Sequence, residues 1–295
     1  MTKGWISWKL RQNMAPYIFI SPFFVIFSLF MLYPFIFSFV ISFSEWNGIG
    51  EIKWIGFNNY VKLARDEIFI QSIVNGIIIF FMYVPLMLFL ALVLAVILNN
   101  NEVKFRGFFR TTIFIPNITS VVAVSFVFAL IFDTKYGFLN MILNKLGIES
   151  ISWLGTQLGA RVAVSSLVTW RWLGYNMVLM LAGLQNISKE LFEAADIDGA
   201  SKVQSFFRIT IPLMKPVILF CTVLSTIGTF SLFTEPMLLT GGGPMYKTIT
   251  PVLYIYRESF QYLRMGYASS VAYIYFILMF VFTLLQFRLS KSTGE

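Results

Sequence analysis

Two charged side chains stand inside otherwise apolar stretches of this sequence: Arg171 in VAVSSLVTWRWLGYNMVLM and Glu235 in LSTIGTFSLFTEPMLL. A charge held in hydrocarbon costs about 2.5–3.5 kcal/mol on insertion scales, so each one marks a partner, a water-filled path or a ligand. Around Arg171 lie Trp170, Trp172, Gly174, Tyr175 and Asn176; level with it on the later stretch lie Ser225, Thr226, Gly228, Thr229, Ser231 and Thr234. Aromatic faces beside a few hydrogen-bonding groups suit a sugar ring. Two plainer readings stay open beside that one. Trp170 and Trp172 also read as packing or interfacial-belt residues, and the Ser/Thr run also reads as small residues that let helices approach.

Whether the two charges meet is open at this point. At 1.5 Å per helical residue, Arg171 lies roughly 14 Å into its stretch and Glu235 roughly 6 Å from the outer end of its own. A direct pair, or a vestibule carboxylate for Glu235, both fit. Other chemistry is scarce. The chain has no His and one Cys, Cys221, so neither a disulfide nor a zinc site is available. No phosphate loop of the form G-x-x-x-x-G-K-[ST] occurs. Asn75 and Asn117 read as packing hydrogen bonds rather than ligands.

The elements that position these residues follow from composition. Of 295 residues 58% are hydrophobic and 12% charged, whereas a soluble domain carries roughly 25% charged residues. A soluble enzyme, a secreted disulfide scaffold and a disordered chain are excluded. Six windows are long and apolar enough to span a bilayer: 16–43, 72–98, 111–132, 162–184, 217–239 and 267–287. Apart from Arg171 and Glu235, all the charged residues lie outside them. Long continuous windows favour helices over a β-barrel. The expected fold is therefore an all-α integral membrane protein with six transmembrane helices.

Lys and Arg set the orientation. Lys3, Lys9 and Arg11 precede the first window without an acidic residue, and the segments on the same side carry the basic excess. Both termini, 1–15 and 288–295, are expected in the cytoplasm. The net charge of +8 then reads as decoration of that face, with no nucleic-acid partner. The first window is too long for a signal peptide and no Ala-x-Ala site follows it, so it reads as an uncleaved span.

One inner loop, 185–216, is long and carries eight charges, QNISKELFEAADIDGASKVQSFFRITIPLMKP. Ser188 is a plausible N-cap with Glu190 in the first turn. A short helix over 189–198, a break at Gly199 and a second helix over 201–209 are predicted, with Pro212 and Pro216 punctuating entry to the fifth span. An interfacial helix parked on lipid is the plainer reading, but balanced charge suits an anionic leaflet poorly.

These residues resemble a known family. Glu193-Ala194-Ala195, three residues, Gly199, nine residues, then Ile209-Thr210-Ile211-Pro212 is similar to the EAA coupling loop of binding-protein-dependent ABC importer permeases, with Ile211 where Leu is usual. Further segments resemble the carbohydrate-uptake branch and its maltose-transporter F-type subunits. They are Gly56–Tyr60, Arg106-Gly107 through Arg110-Thr111 with Pro116, Trp172–Tyr175, Ala182–Leu184, Asp198–Ala200 and Leu239–Pro244. The resemblance covers about 15–288.

The resemblance implies a type I ABC importer permease fold, 16–287, in the bacterial cytoplasmic membrane. It implies a non-catalytic subunit that forms half of a sugar pathway, with a second homologous permease subunit, two ATPase subunits and an extracytoplasmic sugar-binding protein as partners. No cofactor is expected in this chain; ATP and Mg would be bound by the ATPase. The knob residues Glu193, Ala194, Ala195, Gly199, Ile209 and Pro212 would dock in a groove of the ATPase and transmit its closure to the spans. By match to the sugar-lining segments, Trp172, Gly174, Met177, Gly228, Thr229 and Leu232 join the pathway candidates Trp170, Arg171, Tyr175, Asn176, Ser231 and Glu235. Gly241, Gly242, Gly243 and Pro244 would lie beside the docked binding protein. A glycerol-3-phosphate-type permease and an ion-coupled transporter are the alternatives, and a membrane enzyme is a third class. Little intramembrane acid and no His weigh against the last two.

Overall fold

A computed structural model describes residues 3–100 and 102–291 of the chain. The expected cytoplasmic termini, 1–15 and 288–295, fall outside it at residues 1–2 and 292–295. The fold is mainly helical, and its helices divide between two units.

The first unit comprises the chain up to residue 65 together with 255–274. Helix α1 (Lys3–Phe27) runs through a π-helical turn, Ser28–Leu32, into α2 (Tyr33–Ile41). From Tyr17 to Val40 its large apolar side chains are almost all exposed, as lipid contact allows. A two-residue antiparallel ladder, β1 (Ser44–Glu45) with β2 (Lys53–Trp54), and α3 (Asn58–Leu63) follow. The Gly56–Tyr60 motif has a local task here. Asn59 Nδ2 donates to the carbonyls of Ser42 and Ser44, both at 2.9 Å, and Tyr60 OH meets Ser42 Oγ at 2.7 Å. Buried carbonyls at a helix end are thereby satisfied.

The second unit comprises 66–254 and the chain from 275. Its axis is α4 (Glu67–Asn99), started by Asp66, whose carboxylate accepts from the backbone N–H groups of Ile68 and Phe69 at 2.9 and 3.0 Å. Ile79, Tyr83, Met87, Ala91 and Ala95, four residues apart, form one buried face of α4. That face meets α8 (Gln157–Leu184), where Ala163, Val164, Leu167 and Met180 are fully buried. Small residues at such a seam bring the helices close. Between them come α5 (Arg106–Ile118), α6 (Val121–Ile131) and α7 (Phe138–Lys145). After α8 follow α9 (Lys189–Ile197), α10 (Lys202–Ser205), α11 (Ile211–Phe230) and α12 (Thr234–Thr240). Short α13 (Pro251–Tyr256) and long α14 (Met265–Lys291) complete the chain.

Among the described residues, four helices are long and apolar enough to cross a membrane: Pro16–Ile41, Glu67–Asn99, Lys202–Phe230 and Met265–Arg288. Three of the expected windows differ in form from the helices that contain them. The third, 111–132, is not one straight helix: α5 and α6 meet at a 96° bend. Pro116 leaves the end of α5 without one amide donor, Thr119 Oγ1 takes the Ile115 carbonyl at 2.9 Å, and Thr119 itself is extended. The fourth lies within α8, which is not among those four helices and carries Arg161 as well as Arg171. The fifth, 217–239, is displaced: helix runs from Lys202 through a π-helical turn, Phe206–Thr210, to Phe230, then breaks before α12. Pro212 therefore does not separate the loop from the span. The wider turn just before it absorbs the hydrogen bond that proline cannot donate.

Candidate functional site

The break at 231–233 brings the two intramembrane charges together. Helix α12 restarts at Thr234, which places Glu235 in its first turn, and the Arg171 guanidinium donates from Nη1 to Glu235 Oε1. The pair is buried, with side-chain exposures of 15% and 7%. The depth mismatch counted from the sequence assumed one unbroken helix, and that assumption fails at Phe230. The guanidinium also stands 6.0 Å from the Trp172 ring.

One turn along α8, a cleft opens between α4, α8 and α11. It is lined by Tyr83, Met87, Trp172, Tyr175, Asn176, Leu224, Ser225 and Gly228. Trp172 and Tyr175 meet edge to face at 5.5 Å. Tyr83 OH shares a 2.6 Å hydrogen bond with Thr229 Oγ1, which in turn donates to the Ser225 carbonyl at 2.6 Å. Asn176 Nδ2 donates to the Trp172 carbonyl at 3.0 Å, while its Oδ1 is buried without a partner. Such a group is destabilising unless something binds it. The space is about 30 Å³, room for about one water.

The pathway candidates therefore separate. Trp172, Tyr175, Asn176 and Gly228 share the cleft. Thr229 stands behind it, through its bond to Tyr83, and Met177 and Leu232 are buried in the core. Trp170 turns to Phe128, with ring centroids 5.8 Å apart. Gly174 lies against the backbone of Ile113 and Phe114, where a Cβ has no room. Ser231 caps the end of α11, its N–H donating to the Ile227 carbonyl at 3.0 Å. Two contributors escaped the sequence reading. Tyr83 is the one tyrosine in the second window, a signal that was there to be used.

The other is Arg161, one residue before the fourth window. It is buried; its Nε donates to the Lys247 carbonyl at 3.0 Å and its Nη2 to Asn75 Oδ1 at 2.9 Å. Asn75 in turn donates to the carbonyls of Tyr246 and Ile249, at 2.7 and 2.9 Å. Lys247 Nζ reaches Gln71 Oε1 at 3.0 Å. These bonds pin the loop of Gly241, Gly242, Gly243 and Pro244 to α4 and α8. Gly241 and Gly242 take φ of +57° and +74°, which glycine tolerates without strain. Met245 at the loop tip also has positive φ, +45°, and is 80% exposed.

In the long loop, α9 is capped by Ser188, whose Oγ accepts from the Glu190 N–H at 3.3 Å. Gly199 turns the chain at φ +77°. Ser201 and Gln204 then form a reciprocal capping box, at 2.7 and 3.3 Å. Glu193, Ala194 and Gly199 are exposed, as are the apolar Ile197 and Val203. Ala195, Gly199 and Ile209 line a hollow of about 390 Å³ between the two short helices, and Pro212 sits in the first turn of α11. Exposed apolar side chains on a folded knob suit contact with another protein or with lipid.

Long apolar helices, a buried ion pair beside an aromatic cleft and an exposed two-helix knob describe a polytopic membrane protein. The chain belongs to the family described as binding-protein-dependent transport system inner membrane component, whose model matches residues 60–294. It is 42% identical to the lactose transport system permease protein LacF of Rhizobium radiobacter, over 97% of each chain. To the arabinooligosaccharides transport system permease protein AraP of Bacillus subtilis it is 36% identical, covering 98% of this chain and 92% of that one. To the trehalose/maltose transport system permease protein MalF of Thermococcus litoralis it is 32% identical, over 96% of each. Its fold matches a bacterial ABC transporter involved in the import of the acidic polysaccharide alginate, with a TM-score of 0.85 over 98% of this chain and 99% of that one, at 24% identity. The resemblance carried by the long loop and the scattered motifs is thus confirmed at the level of the family.

Proposed function

We propose that the chain is one permease subunit of an ATP-driven importer for a sugar, in particular an oligosaccharide. The cleft carries this reading. Trp172, Tyr175 and Tyr83 supply aromatic faces, while Asn176, Ser225 and Gly228 supply hydrogen-bonding and backbone groups. Relatives at 42% and 36% identity carry lactose and arabinooligosaccharide names, which supports the same substrate class. A ligand pocket is usually about 300–1,000 Å³, so the helices must part, and a second homologous permease subunit completes the pathway. The Arg171–Glu235 pair offsets both charges beside the cleft, which suits a neutral substrate better than an anionic one or ion coupling.

In this reading the chain crosses the bacterial cytoplasmic membrane six times with both termini inside. The bent α5–α6 pair and α8 are the two spans beyond the four straightforward ones. The knob at Glu193–Gly199 docks on an ATPase subunit, which alone binds ATP and Mg. Gly241–Pro244 face the extracytoplasmic binding protein, held in place by Arg161 and Asn75. Purification from the native membrane tests the assembly: an ATPase and a second six-span protein are expected to come with it. Uptake competition with a panel of labelled oligosaccharides then identifies the sugar, and absence of both partners would sink the reading.

A further inference from the structure

A second polar cavity, of about 330 Å³, lies where α4 and α8 end and where α5 and α9 begin. Three of its walls are cationic: Arg106, Arg110 and Lys189; none of the described residues lining it is acidic. Asn99 and Gln185 add amide groups. Arg110 is fixed, because its Nη2 donates at 2.6 Å to the Leu98 carbonyl, one of the orphans at the end of α4. Its Nε is buried and has no partner. Lys189 makes no ion pair among the described residues, and Glu102 points elsewhere, to Asn100 Nδ2 at 3.4 Å.

Cationic groups gathered round one cavity make a potential that favours an anion among them. A guanidinium with a donor left over is suited to phosphate oxygens, which accept several charge-assisted hydrogen bonds at once. The floor is apolar, with Leu184 and Phe192, so the cavity offers a greasy base under a cationic rim. We propose that this corner binds a phosphate-class anion, supplied either by the headgroup of an anionic phospholipid or by free phosphate. Lys189 is the first residue of α9, so the anion ties the base of the knob to the α4–α5 corner. Binding itself does not depend on the transported substrate, and it can be tested even if the sugar assignment fails. The inner-leaflet source alone rests on the orientation proposed above.

The test uses full-length protein with whichever partners co-purify, and compares wild type with Arg106→Gln/Lys189→Gln. Arg110 is left intact because it holds the end of α4. In the first arm the protein is exposed to equal phosphatidylglycerol and phosphatidylcholine, and retained lipid is counted by native mass spectrometry. A headgroup ligand gives at least threefold preference for phosphatidylglycerol in wild type, lost in the variant. In the second arm delipidated protein is melted in inorganic phosphate against chloride of equal ionic strength. A free-phosphate ligand raises the wild-type melting temperature and not that of the variant. An Arg106→Lys/Lys189→Arg variant is expected to keep whichever effect is seen. Equal lipid retention in wild type and double-Gln variant, together with no phosphate-specific shift, overturns the proposal.

Discussion

Arg171 on α8 and Glu235 on α12 form a buried ion pair across 64 positions of sequence. The pair exists because α11 stops at Phe230 and the chain re-enters a helix at Thr234, with Glu235 in its first turn. Removing one member of a buried pair typically costs about 3–5 kcal/mol, because the other charge is left uncompensated. Arg171→Glu and Glu235→Arg are each expected to lower the melting temperature of the detergent-solubilised protein sharply. The double exchange is expected to recover at least half of the loss. Additive losses in the double variant would show that the two charges do not stabilise one another.

Gly174 and Gly228 make opposite demands. A Cβ at Gly174 meets the backbone of Ile113 and Phe114, whereas one at Gly228 meets nothing within 4 Å and stands at the cleft. Overpacking at Gly174 costs roughly 1–3 kcal/mol, so Gly174→Ala is expected to reduce the yield of folded protein. Gly228→Val is expected to leave melting nearly unchanged and to cut sugar uptake at least tenfold. Melting curves and uptake on the same preparations separate the two.

Tyr83 is expected to act through Thr229. Tyr83→Phe removes the phenolic hydroxyl from a buried 2.6 Å bond, while Thr229 keeps its bond to the Ser225 carbonyl. The loss of stability should be about 1 kcal/mol, and Trp172→Ala is expected to reduce uptake far more. Equal uptake in Trp172→Ala and wild type would remove the cleft from the sugar path.

Arg161 holds the loop after Gly241 by way of Lys247 and Asn75. Arg161→Met leaves the Lys247 carbonyl without that donor, while Asn75 Oδ1 still accepts from Gln71 Nε2 at 2.9 Å. Faster hydrogen exchange is expected over 242–249 while the α4–α8 seam stays protected, because local opening follows local contacts. Unchanged exchange in that loop would mean that Asn75 and Gln71 hold it without Arg161.

Local signals carried much of the fold. Ser188, Glu190 and Gly199 fix α9 and its end through capping and glycine turn geometry, which depend on neighbours in sequence. The apolar windows likewise reported their helices. What stayed hidden depends on tertiary context. The break after Phe230 lies beyond such local signals, so counting residues misplaced Glu235 relative to Arg171, whereas the bend at Thr119 is marked by Pro116, Asn117, Thr119 and Ser120 inside a window that is apolar only on average. Arg161 went unnoticed because it stands at the edge of a window, where a basic residue ordinarily faces headgroups; its partners, Asn75 and the Lys247 carbonyl, are 86 positions away.

The central claim is that the knob couples this chain to an ATPase. It is tested most directly by reconstituting the co-purified assembly with its binding protein into vesicles and measuring accumulation of labelled oligosaccharide with and without ATP. ATP-dependent accumulation is expected in wild type and none in Glu193→Lys, although that variant still inserts and melts normally. Accumulation without ATP under an ion gradient, or normal uptake in Glu193→Lys, would contradict the claim.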